Sequence, residues 1–109
     1  MDSSEQLAPL ITIANQLFDL DQKIAPLDEA PRLGRHIERM RRALGELGIG
    51  YHSPLGEAYD ETRTDCEASI AGTSAHNLRI REVIKPLVYL QEGDWRRILQ
   101  RALVVVSGE

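Results

Sequence analysis

The chain has 109 residues with a formal net charge of −4, 42% apolar and 28% charged. That length and balance fit a single small soluble unit, exclude a fully disordered chain, and argue against a non-specific nucleic-acid binder, which needs net positive charge. No apolar run reaches the roughly 20 residues of a membrane span, the acidic start Met1-Asp2-Ser3-Ser4-Glu5 lacks a signal peptide's basic residues, and the lone Cys66 forms no intramolecular disulfide, so a cytoplasmic protein is expected.

In chain order, the apolar positions Leu7, Leu10, Ile11, Ala14, Leu17, Phe18 and Ile24 fall on one helical face. Asp21 interrupts the stripe. Ser3 or Ser4 is expected to cap this helix, with Glu5 near its positive end, and Ala25-Pro26 to close it. A short loop, residues 26–31, leads to Pro31 in the first turn of a second helix. There Leu33, Ile37, Met40, Leu44 and Leu47 are spaced 4, 3, 4, 3, the pattern of a coiled-coil seam, and Gly48 suits the C-terminal cap. Two helices on so short a loop predict an antiparallel hairpin. Two hairpins would make a four-helix bundle, so a homodimer is expected, with Leu33, Ile37, Met40, Leu44 and Leu47 at its interface. An ordinary amphipathic helix packed on its own β-part would show the same seam.

Charge is segregated. Residues 1–30 carry a net −5, residues 31–45 a net +4, and the remainder −3. An acidic segment followed by a basic one predicts two elements lying side by side. The rival reading, an anion or nucleic-acid site on Arg35, Arg39 and Arg42, conflicts with the acidity of the whole chain.

The second half reads as β. Residues 53–65 are rich in turn formers. Residues 67–71 are a candidate strand, and Leu78-Arg79-Ile80-Arg81 alternates as a half-buried strand should. Val83-Ile84 breaks the alternation and predicts a bulge, and Pro86 must sit at an edge or strand start. Leu87–Leu90 is a short apolar run and residues 91–94 are a turn. Ile98-Leu99 and Ala102–Val106 form the last strand, whose continuous apolar run predicts cover on both faces. The fold class is therefore α+β: a helical hairpin over residues 1–48, then a small antiparallel β domain over residues 49–109.

No chemistry emerges from the side chains. His36, His52 and His76 lack ligand spacing, Cys66 has no companion, and Asp60, Glu61, Asp65 and Glu67 do not match a calcium loop. No nucleophile elbow occurs. No enzyme, cofactor or metal is expected; the layout favours binding.

Where the two halves join, the residues resemble a known family. Leu47-Gly48-Ile49-Gly50, Gly56-Glu57-Ala58-Tyr59-Asp60, Glu82-Val83-Ile84, Gly93-Asp94, Ile98-Leu99-Gln100-Arg101-Ala102 and Val104-Val105-Val106-Ser107 follow the order of motifs in GrpE, the nucleotide exchange factor of DnaK-type chaperones. The collinear set spans residues 33–107, and residues 10–25 are similar more loosely. Set against the family, a short member without the long N-terminal stalk helix is expected, and the chain departs from the family's motifs in Glu61 standing where the family has proline and in Thr64-Asp65-Cys66, Leu87-Val88-Tyr89 and Gln100-Arg101. The resemblance implies a co-chaperone that binds the ATPase domain of a DnaK-type chaperone and promotes ADP release. It places partner contacts on Tyr59, Glu61, Ile84 and Val106. The alternative is an adaptor that keeps the fold and lacks exchange activity. Neither reading involves nucleic acid or membrane.

Overall fold

A computed structural model describes residues 3–108, with side-chain surroundings from residue 6 onward. The side chains of Ser3, Ser4 and Glu5, expected at the first cap, lie outside the described residues. The elements are α1 (Ser3–Ile24), α2 (Ala30–Glu46), β1 (Ile49–His52), β2 (Cys66–Ile70), β3 (Arg79–Lys85), β4 (Leu87–Glu92), β5 (Trp95–Gln100) and β6 (Ala102–Ser107). The class is α+β, two helices followed by sheet.

The chain divides into two compact units. The first holds residues up to Tyr51 together with Tyr89–Arg97; the second holds His52–Val88 and the residues from Ile98 on. This division differs from a single cut after residue 48, because the tip of the β4–β5 hairpin groups with the helices.

In the first unit α1 packs on α2. Pro31 sits in the first turn of α2, and Gly48 follows its end at φ +86°, a conformation cheap for glycine. Ala14, Leu17, Phe18, Ile24, Ile37, Leu44, Ile49 and Tyr51 are buried. Each Leu or Ile so buried contributes about 1.5–3 kcal/mol of hydrophobic stabilisation. The seam of α2 is thus split. Ile37 and Leu44 are about 5% exposed within the single chain, Leu33 is half-buried, and Met40 and Leu47 face outward. Ile37 and Leu44 are therefore core of the single chain rather than surface available to a second copy. Outward-facing Ile13, Leu20 and Met40, with Leu17, line a shallow apolar groove of about 320 Å³. The expected juxtaposition of acidic and basic segments is met by the helix pair. Among the described residues, however, the ion pairs of α2 are internal, Glu38 with Arg41 at 4.0 Å and with Arg42 at 3.6 Å.

Among the described residues, the β-part holds two three-stranded sheets where the sequence predicts one. Their orders are β1-β4-β5 and β2-β6-β3. The turn Gly93-Asp94 joins β4 to β5, with Gly93 at φ +59°. Gly50 of β1 runs beneath the ring of Tyr89 on β4, leaving no room for a Cβ. In the second sheet β6 is central. It pairs antiparallel with β3 and parallel with β2, so this sheet is mixed rather than purely antiparallel. Register slips between Ile80 and Glu82 and between Val83 and Lys85 mark the expected bulge. Alternate residues Ala102, Val104 and Val106 are fully buried, while Leu103 and Val105 are half-buried, as a covered central strand requires.

Candidate functional site

The loop between β1 and β2 is built around one guanidinium. Arg63 donates to Asp65 through Nε–Oδ1 at 3.0 Å and NH2–Oδ2 at 2.9 Å, and donates through NH1 to the Ala58 carbonyl at 3.0 Å. Its NH2 also lies 3.1 Å from Glu57 Oε1, while the other oxygen of Glu57 is 2.6 Å from His52 Nε2. A bidentate carboxylate partner matches the planar fork of arginine. This grip raises the Arg63 pKa and, despite opposing burial, holds the Asp65 carboxyl below the usual carboxylate range. Asp60 accepts from the Thr62 amide at 2.8 Å and from the Thr62 hydroxyl, which lowers its pKa too. Three members of the acidic cluster, Asp60, Asp65 and Glu67, are thus held by local partners, Glu67 by Arg101 at 3.3 Å.

The preceding segment lies along β3. The Gly56 amide donates to the Ile80 carbonyl at 2.8 Å, the Ile80 amide to Glu57 at 2.9 Å, and the Tyr59 amide to Leu78 at 2.8 Å. This pairing fixes the backbone that carries Tyr59 and Glu61. Beside it opens a surface depression of about 510 Å³, lined by Tyr59, Asp60, Glu61, Ile70, Asn77 and Leu78 among others. Tyr59 is half-buried there, Glu61 is exposed, and Ile70 of β2 is 55% exposed. One aromatic, one exposed branched aliphatic and two carboxylates thus share one mixed surface.

The four residues singled out from sequence therefore separate. Tyr59 and Glu61 come together in the depression. Ile84 is 48% exposed at the bulge of β3, where the register with β6 skips it. Val106 is 0% exposed at the centre of the mixed sheet, opposite Ile70 and Ile80, so its side chain is core and does not reach a partner. Ile70 escaped the sequence reading, since nothing in Ala68-Ser69-Ile70-Ala71 says which face is covered. Arg63 escaped it too: the bend at Thr64-Asp65 brings its side chain to Asp65, and nothing in the residue pattern announces that bend.

Cys66 is buried, and burial pushes its thiol up, which suits a packed residue and not a nucleophile. Among the described residues, no group of three or more His, Cys, Asp or Glu is placed to hold a metal ion, and no helix is long and apolar enough to cross a membrane. Compared with protein-family models, with curated proteins and with solved structures, the chain matches none.

Proposed function

We propose that the chain is a GrpE-like co-chaperone, which binds the ATPase domain of a DnaK-type chaperone and promotes ADP release. The observation that carries this reading is that Tyr59, on the segment of the Gly56–Asp60 motif, Glu61 just after it, and exposed Ile70 of β2 line one depression. The collinear motifs of residues 33–107 and the order of a helical hairpin followed by sheet support it. The mechanism is linkage and needs no covalent step. A partner that binds the open nucleotide cleft better than the ADP-closed one weakens ADP binding by the same factor. The working form in this proposal is a homodimer through the helices, with exposed Ile13, Leu20 and Met40 available to a second copy.

Stopped-flow release of fluorescent ADP from the host's DnaK-type chaperone tests the activity. The expected result is acceleration that saturates with concentration and is weakened by Tyr59→Ala. No acceleration from any DnaK-like ATPase of the host rejects exchange activity. The adaptor reading is favoured by one observation, the burial of Val106, which removes one of four contacts implied by the resemblance. Binding to the chaperone without acceleration would select it. Light scattering at micromolar concentration tests the dimer; the mass of a single chain rejects it.

A further inference from the structure

The basic residues of α2 are arranged against the stability of their own helix. Arg32, Arg35, Arg39 and Arg42 are spaced 3, 4, 3 and are all exposed. At 3.6 residues per turn they fall within an arc of about 80° and form a row about 15 Å long. Like charges three and four apart weaken a helix. Arg32 also lies near the positive end of the helix dipole, where the first turn has no acid, and the last turn has no base. Among the described residues, Arg32, Arg35 and Arg39 have no ion-pair partner, while Arg42 shares Glu38 with Arg41. Local rules broken together on one face are the mark of a surface selected for something other than folding.

We propose that this arginine row docks a short acidic segment of a protein partner. The inference goes beyond the exchange activity and does not depend on it. Charge complementarity names the occupant's chemistry, and all four positions are arginine, whose fork engages carboxylates bidentately. The flanks set its length. Exposed Asp28 and Glu29 precede the row and exposed Glu46 follows it, so a long polyanion running past either end meets like charge. An acidic helix of about three turns fits between them.

The test uses the full chain and fluorescence anisotropy with three labelled probes. One is a helical peptide with glutamates at 3-4-3 spacing, one has the same composition with its glutamates distributed around the helix, and one is single-stranded DNA of equal charge. The spaced peptide is expected to bind roughly tenfold tighter than the redistributed one, with affinity falling as salt rises. The R35E/R39E variant should lose this binding. The R35Q/R39Q variant, which removes like-charge repulsion and so keeps the helix, should weaken it several-fold. Equal binding of the two peptides, tighter binding of DNA, no binding of any probe, or wild-type affinity in R35Q/R39Q would overturn the proposal.

Discussion

Arg63 holds Asp65 in a two-pronged grip, 3.0 and 2.9 Å, and the same NH2 group reaches Glu57 at 3.1 Å. The Arg63 side chain as a whole is 20% exposed, so these bonds are better shielded than those of a fully exposed surface pair. Arg63→Ala should lower stability by about 1–2 kcal/mol, as loss of charge-assisted bonds with partners left behind predicts. Urea unfolding at neutral pH checks this, and proteolysis should cut first within residues 53–65. A loss below about 0.5 kcal/mol would show that the loop is held by its backbone pairing with β3 alone.

The same contact sets an acid limb. Arg63 hydrogen bonding depresses the Asp65 carboxyl in the folded state. A depressed folded pKa gives stability that is complete above the unfolded value, about 3.9, and is lost as pH falls through the folded value. The urea midpoint should therefore drop below about pH 4. Asp65→Asn should flatten that drop while lowering the neutral-pH midpoint. An acid limb of unchanged depth in Asp65→Asn would assign it to other carboxylates.

The helices and the mixed sheet show how much of this fold is written locally. The stripe Ala14, Leu17, Phe18 and the stops at Pro26 and Gly48 are local signals, and α1 and α2 follow them. The broken alternation at Val83-Ile84 likewise marks a real bulge. Two strands were hidden. Ile49–His52 looks like helix termination because Gly48 and Gly50 flank its start; only the ring of Tyr89 lying over Gly50 explains a glycine in that strand. Trp95–Gln100 merges with β6 in the sequence, since the break at Arg101 carries no turn residue. Parallel pairing of β2 with β6 joins residues 36 positions apart, Cys66 with Ala102, and no local pattern encodes it. At the candidate site the backbone motif around Tyr59 was legible. The burial of Val106 follows the continuous apolar run of β6, whereas the exposure of Ile70 depends on β2 lying at the sheet edge, and so was not legible.

The split seam of α2 separates folding from association. Ile37→Ala or Leu44→Ala should cost about 2–4 kcal/mol in the folded protomer, the usual range for a buried aliphatic. Met40 is 43% exposed, and Met40→Ala should change protomer stability by no more than about 0.5 kcal/mol. Leu20→Glu with Met40→Glu places two charges at the groove that Ile13, Leu17, Leu20 and Met40 line. If this groove is the dimer contact, light scattering should report a single-chain mass for the double variant under conditions where wild type is dimeric. Retention of the wild-type mass would move the contact elsewhere.

Trp95 offers a probe that needs no label. It is the chain's one tryptophan, 81% exposed at the start of β5, immediately after the Gly93-Asp94 turn. Its neighbour Arg96 is drawn to the opposite face of the strand, where it lies 4.1 Å from the Tyr89 ring centroid and donates to Gln91 at 2.9 Å. Arg97 shares the tryptophan's face and is 3.7 Å from Glu92. The indole is therefore left in water while the residues around it are tied down. Native emission should be red-shifted and quenched by acrylamide almost as strongly as in urea. Trp95→Ala should change stability by no more than about 0.5 kcal/mol. Because an exposed tryptophan on an ordered hairpin is a good anchor for a partner, shielding from acrylamide on adding the chaperone would place that partner over β5 as well. Shielding that instead grows with the concentration of the protein alone would assign this face to self-association. An indole already protected in the dilute, isolated chain would contradict the hairpin geometry itself.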